Sequence, residues 1–174
     1  MDSLLGIIGS ISFCFLFAAA AISKVRDLSG FRNILSAYQL LPAIFTGSAA
    51  AIIILTEILL AALWTVPHYR VLASYASILL FVGYALAIAV NLLRSRNYIS
   101  CGCGEDQPIS WWLVVRNGVY AAFAGVVSTI EIGRFDWSGP EVLIIVVSLS
   151  TIFFLERITA TLLANASHLS DWRR

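Results

Sequence analysis

Residues 71–93 read VLASYASILLFVGYALAIAVNLL, an apolar run without one charged side chain. A helix needs about 20 such residues to cross the hydrocarbon core of a bilayer, and this run supplies them. Four further stretches repeat the pattern: Ser3–Ile22, Leu40–Val66, Trp111–Ile130 and Val142–Leu163. Together they occupy most of the 174 residues and leave no room for a soluble domain. Lipid offers no water to stray backbone groups, so only helices and closed barrels can span it. The uninterrupted runs lack the alternation of a barrel strand. The expected fold is therefore all-α, a polytopic transmembrane helical bundle of about five spans, with residues 1–174 forming a single membrane domain.

Composition agrees. Hydrophobic residues make up 60% of the chain and charged residues 12%, about half the charged fraction of soluble domains; mean hydropathy is +0.89. A net charge of +1 argues against nucleic acid as a partner and leaves the lipid bilayer as the expected one. The placement of charge is more telling than its sum. If all five segments span, Lys24, Arg26, Arg32, Arg94, Arg96, Arg116, Arg157, Arg173 and Arg174 fall on one side, and only Arg70 and Arg134 on the other. Basic residues near span ends mark the cytoplasmic side, which predicts a multi-pass protein with its N-terminus outside and its C-terminus in the cytoplasm. Ala18–Ala21 resembles a signal-peptide cleavage region. The residues before it hold Asp2 and no Lys or Arg, so the first segment is expected to remain as a span.

Between the first two spans, Leu28, Phe31, Leu35, Tyr38 and Leu41 recur at steps of three and four, with Arg32, Asn33, Ser36 and Gln39 between them. That spacing predicts an amphipathic helix over 28–41, lying in the membrane interface with its apolar face toward lipid, until Pro42 resets the chain. Small residues four apart, Gly83 with Ala87, Gly118 with Ala122 and Ala121 with Gly125, are expected to record close packing of helix backbones.

The residues with chemistry in them begin with Cys101-Gly102-Cys103-Gly104, in the loop between the third and fourth spans. Two sulfurs separated by one residue can join only through a tight ring, for which the glycines supply unusual dihedrals. Strained disulfides are exchange-competent, and closing so short a loop removes little chain entropy. A redox dithiol is therefore favoured over a structural staple, while a pair of idle cysteines stays open. No metal site is expected: zinc wants four ligands, and His68 and His168 lie far from the pair in sequence. Arg94 and Arg96 precede the motif, and Arg116 lies about 7–8 Å inside the fourth span. A cation beside a thiol favours the reactive thiolate, so Arg116 is a candidate thiolate stabiliser; the other two at least anchor the span.

Glu57 and Cys14 both fall near mid-membrane, about 14 and 16 Å from the outer face. Glu57 is a candidate buried proton carrier or packing partner, facing Cys14 or bonded to Arg116 or Asn117. Cys14 is a candidate relay thiol, against the ordinary behaviour of a lone cysteine as a small buried hydrophobe. No cofactor is certain from these residues, and nothing in the sequence supports a quinone.

Ile22-Ser23-Lys24-Val25-Arg26-Asp27-Leu28 with Phe31, Tyr38-Gln39-Leu40-Leu41-Pro42, Glu57, Arg96 through Ile99, Cys101-Gly102-Cys103-Gly104 and Arg116-Asn117 together resemble the MauE family of methylamine utilisation proteins. The match covers most of the chain in the right order, with the last span least diagnostic, and is similar also to the wider DoxX-like group. The resemblance implies a bacterial inner-membrane protein for processing, export or maturation of the methylamine dehydrogenase β-subunit, working with MauD, a thioredoxin-like partner. On that reading Cys101 and Cys103 exchange disulfides. A non-enzymatic assembly scaffold and, more remotely, a small-molecule transporter using Glu57 and Arg116 are the competing readings. The charge pattern places the cysteine pair in the cytoplasm while the implied subunit is periplasmic. Electron transfer across the membrane, a loop that folds back into the bundle, or an inverted topology would each reconcile the two.

Overall fold

The computed structural model describes residues 2–96, 99, 108–130, 139–140, 142–151, 154–155, 158 and 161. Its elements are α1 (Asp2–Arg26), α2 (Leu28–Tyr38), α3 (Thr46–Thr65), α4 (Arg70–Leu93) and α5 (Trp111–Thr129), followed by a shorter apolar helix, α6 (Val142–Thr151). Among the described residues there is no helix-to-sheet transition to account for, and the all-α bundle stands. Leu4–Arg26, Ala43–Thr65 and Pro67–Leu93 are each long and apolar enough to cross a membrane. The outward faces fit lipid rather than water: Phe15, Ile52 and Leu79 are 65%, 63% and 75% exposed.

Local chemistry sets the breaks. The α1 helix ends where Asp27 turns its carboxylate to cap the next one, Oδ1 accepting from the Gly30 N–H at 2.8 Å. Such a cap satisfies one of the four free N–H groups that open every helix. A Cβ on Gly30 would crowd Asp27 Oδ2, so any larger residue there would have to turn the capping carboxylate aside. Gln39 closes α2 in the left-handed conformation, φ 49°. The second span does not start at Leu40 as the hydropathy suggested. Gln39 and Pro42 interrupt the chain, a single 3₁₀ turn over Ala43–Phe45 follows, and α3 begins at Thr46.

Two intimate antiparallel pairs, α1 with α3 and α4 with α5, are joined by α3–α4 and α1–α5 contacts into a four-helix ring. Aromatic rings fill its middle. Phe13 stacks on Trp64 at 4.7 Å between centroids and Phe17 on Phe81 at 5.3 Å, with Leu60, Ala73, Ala124 and Val127 around them. Polar side chains act as interhelical glue, which lipid-embedded bundles favour: Ser74 Oγ donates to the Ala124 carbonyl at 2.7 Å, and Trp64 Nε1 donates to Ser77 Oγ at 3.0 Å. At the end where α4 starts, the Arg70 guanidinium donates to the Ile130 carbonyl at the close of α5.

The tight crossing is at Gly9, where a Cβ would meet Val127 Cγ2 at 2.6 Å. It is not at Gly83 or Gly118. Nothing approaches either within 4 Å, because both face outward. The apolar stripe of α2 also differs from expectation. Phe31 and Tyr38 are buried against protein, not lipid: Phe31 packs with Ala50, Ile54 and Leu35, Tyr38 with Ile88 and Leu113, and Leu28 and Leu41 are left exposed. The helix thus covers one end of the ring. The charged groups beneath it supply the reason.

Candidate functional site

Each inner helix presents its buried face at helical spacing. On α1 the stripe runs Phe13, Phe17, Ala21, Lys24; on α3 it runs Ala50, Ile54, Glu57, Leu60, Trp64. The two stripes meet antiparallel. The Phe13–Trp64 stack sets the register, and Glu57, seven residues from Trp64, then lies about 10 Å along the axis toward the α2 end. There the Lys24 ammonium meets it, Nζ to Oε1 2.7 Å, with residue exposures of 5% and 1%. The direction of a helical side chain explains the reach. Cβ atoms tilt toward the helix N-terminus, so a lysine near the C-terminal end of α1 leans into the bundle. Tyr84 on α4 donates its O–H to the same oxygen at 2.8 Å. The ammonium also lies over the rings of Phe31 and Tyr84, 5.4 and 5.8 Å from their centroids, within the range of cation–π attraction. Glu57 Oε2 has no hydrogen-bond partner among the described residues.

Burial of two opposite charges in direct contact has a clear energetic meaning. Desolvation of the pair offsets much of its attraction, but removal of one partner strands the other in a medium that cannot solvate it. The arrangement ties α1, α3, α4 and α2 to one point.

The structure relocates the sequence-derived candidates. Glu57 is buried, but it bonds Lys24 and Tyr84, not Arg116 or Asn117: Oε2 is unpartnered, and the Asn117 amide donates to the Leu113 carbonyl. Nor does Glu57 face Cys14, since Phe13 and Trp64 hold that level and Glu57 is two turns away. Cys14 is a half-buried free thiol against the aromatic cluster. Arg116 is half-buried on α5, its Nε without a partner among the described residues. Cys101 and Cys103 lie outside the described residues. The two sides of their loop are visible, however: the Ile109 N–H donates to the Ile99 carbonyl at 2.9 Å, and both side chains are buried, at 4% and 2% exposure, in one cluster with Tyr38, Ile88 and Leu113. The loop leaves and re-enters at the α2 end of the ring.

Sequence reasoning missed Lys24 and Tyr84, counting Lys24 only among the basic residues at span ends. The signal was present in the steps of four, four and three from Phe13 through Phe17 and Ala21 to Lys24. Tyr84 likewise falls between Phe81 and Ile88 on the buried stripe of α4.

A ring of apolar helices, tied by a buried ion pair and covered at one end by a short helix, defines a small polytopic helical membrane protein. Within that class the assignment is specific. The family model for methylamine utilisation protein MauE matches residues 2–130, α1 through the end of α5, and the chain belongs to that family. It is 37% identical over 117 residues to the MauE protein of Paracoccus denitrificans, covering 66% of this chain and 63% of that protein. It is 36% identical over 112 residues to that of Paracoccus versutus, covering 63% and 60%, and 35% identical over 102 residues to that of Methylophilus methylotrophus, covering 59% and 54%. The chain thus spans less than two thirds of the length of these curated relatives. No solved structure matches it.

Proposed function

We propose that the protein is a bacterial inner-membrane component of methylamine dehydrogenase maturation that exchanges thiols and disulfides through Cys101 and Cys103, in concert with a thioredoxin-like protein of the MauD kind. The observation that carries this reading is the closed base of the cysteine loop. A Cys-x-Cys pair sits between Ile99 and Ile109, whose backbone bond and buried side chains hold both strands of the loop at one end of the bundle. Arg116 fits the part of thiolate stabiliser. Helical side chains lean toward the helix N-terminus, which on α5 is the end where that loop re-enters.

The exchange balances without a further reagent. One thiolate of the reduced pair attacks a disulfide sulfur of the thioredoxin-like partner, breaking that S–S bond and forming a mixed disulfide. The second thiolate then displaces the partner's sulfur. The pair ends as a disulfide and the partner as a dithiol, two electrons and two protons the richer; the reverse sequence is the same chemistry. Five spans with the N-terminus outside and the C-terminus in the cytoplasm fit the charge distribution.

The test is the double variant Cys101→Ser/Cys103→Ser in a methylamine-grown host. The expected result is loss of correctly disulfide-bonded β-subunit, together with loss of the mixed disulfide that a resolving-cysteine variant of the partner otherwise traps. Normal β-subunit disulfides in the double variant would overturn the redox reading and leave a non-enzymatic assembly scaffold.

A further inference from the structure

The outward stripe of α3 runs Ile44, Ser48, Ile52, Leu55 and Leu59, at steps of four, four, three and four, and all five are exposed. Its apolar members suit lipid, Ile44 being 82% exposed; Ser48 is the polar interruption. Thr46 and Thr56 on the same helix turn their hydroxyls back to donate to the Ala43 and Ile52 carbonyls. Ser48 makes no such bond among the described residues. Beside it lies a cation. The Arg32 guanidinium rests over Gly47, where a Cβ would stand 3.0 Å from Nη2 and 3.5 Å from Cζ. Gly47 belongs to the first turns of the apolar helix Ala43–Thr65, which puts the charge about 6 Å along the span from its α2 end. The described acids at this end are committed elsewhere. Asp27 accepts from Ser29 and Gly30 at the head of α2, and Glu57 is buried with Lys24. Arg32 thus has no ion pair among the described residues.

We infer that Arg32, Gly47 and Ser48 form a binding site for one anionic phospholipid in the leaflet at the α2 end. The phosphate oxygens accept from the guanidinium N–H groups and from the Ser48 hydroxyl, while an acyl chain lies along Ile52, Leu55 and Leu59. Arginine suits that ligand because its planar donors meet two phosphate oxygens at once. Gly47 supplies the notch that lets the guanidinium lie against the helix. A net-negative headgroup is preferred over a zwitterionic one, because Arg26, Arg94 and Arg96 come to the same end of the bundle and attract anionic lipid. The site owes nothing to the thiol chemistry and stands or falls without it.

The experiment titrates dioleoylphosphatidylglycerol into the full chain in dodecyl maltoside micelles and reads the unfolding temperature. A lipid that binds only the folded protein raises that temperature with its concentration. Salt at about 0.15 M screens charges more than about 8 Å apart, which isolates direct contacts. The wild type should be stabilised at a lower mole fraction of this lipid than of dioleoylphosphatidylcholine. Arg32→Gln should raise the half-saturating mole fraction about tenfold, the weight of a hydrogen bond to a charged group. Arg32→Lys, which keeps the charge without the planar fork, should recover only part of the loss. Gly47→Leu, which fills the notch and keeps every charge, should weaken binding as Arg32→Gln does. Arg94→Gln, on α4, should change it less than about twofold. Equal weakening by Arg94→Gln and Arg32→Gln would overturn the site, since the attraction would then be the general field of the bundle end. Equal stabilisation by phosphatidylcholine, or the same shift from soluble glycerol phosphate at matched concentration, would overturn the assignment to an anionic lipid.

Discussion

Lys24 Nζ lies 2.7 Å from Glu57 Oε1 in a place where neither residue is more than 5% exposed. Lys24 is two residues from the end of its helix, close enough to send its ammonium out to water as lysines near span ends do. It reaches inward instead, to a carboxylate that also accepts from Tyr84. Lys24→Met is therefore expected to destabilise the protein by about 3–5 kcal/mol, the cost of stranding a buried charge. Lys24→Met/Glu57→Met should recover most of that loss. Thermal unfolding of the purified variants in detergent checks it, and additive losses in the double variant would show that the two charges are not coupled.

The crossing of α1 over α5 gives an independent test of packing. Gly9→Ala places a methyl 2.6 Å from Val127 Cγ2 and should cost about 1–3 kcal/mol through overpacking. Val127→Ala in the same chain should restore much of it by clearing the obstructing methyls. Gly118→Ala, with nothing within 4 Å of the new methyl, should be near neutral in the same melting assay.

Trp64 Nε1 finds its acceptor in Ser77 Oγ, both residues being at most 2% exposed. Ser77→Ala leaves a buried indole N–H unpaired, at a cost of about 1–3 kcal/mol. The loss should appear as a lower unfolding temperature and a changed Trp emission. Combining it with Trp64→Phe, which removes the orphaned donor, should cost less than the sum of the two single changes.

The helical class and the three long apolar helices, Leu4–Arg26, Ala43–Thr65 and Pro67–Leu93, were legible because hydropathy reports length and apolarity, and lipid leaves the backbone no other option. What one sequence obscured was the partner of each intramembrane charge. Lys24 sits between Ser23 and Arg26, so its neighbours suggest an interfacial anchor, and only its phase relative to Phe13, Phe17 and Ala21 reveals an inward direction. The α2 stripe was correctly periodic but wrongly aimed. Periodicity identifies an apolar face without saying whether lipid or protein covers it, and here the bundle end with its ion pair is what needed covering. Gly83 and Gly118 erred in the same way, since four-residue spacing of small side chains carries no information about which way the face turns.

Asp27 and Gly30 make a second local prediction. Asp27→Ala would remove the cap outright and should cost about 1 kcal/mol; Gly30→Ala would crowd the Asp27 carboxylate at the α2 N-terminus and should cost less, since alanine regains helix propensity. The loss is expected to be local. Amide exchange in α2 should rise in both variants while α3 and α4 stay protected, and uniform loosening of all helices would contradict a local cap.

The charge distribution predicts a side for the loop end, and the structure alters the argument without reversing it. Antiparallel pairing of α1, α3, α4 and α5 brings Arg26, Arg32, Arg94 and Arg96 to the α2 end, with Arg70 at the other. Lys24 drops out of that comparison because Glu57 neutralises it. The remaining bias still predicts a cytoplasmic α2 end. Two exposed positions test this on a cysteine-free background, Asn33→Cys on α2 and His68→Cys in the turn between α3 and α4. A membrane-impermeant thiol reagent applied to intact spheroplasts should label His68→Cys and spare Asn33→Cys until the membrane is opened. The opposite pattern would put the cysteine loop on the periplasmic side, where exchange with an exported subunit needs no transfer across the bilayer. On the redox reading, the predicted pattern instead calls for redox equivalents to cross or for the loop to fold back into the bundle. Cys14 then becomes the thiol to examine next, because it is the one cysteine among the described residues and lies within a span beside the aromatic core.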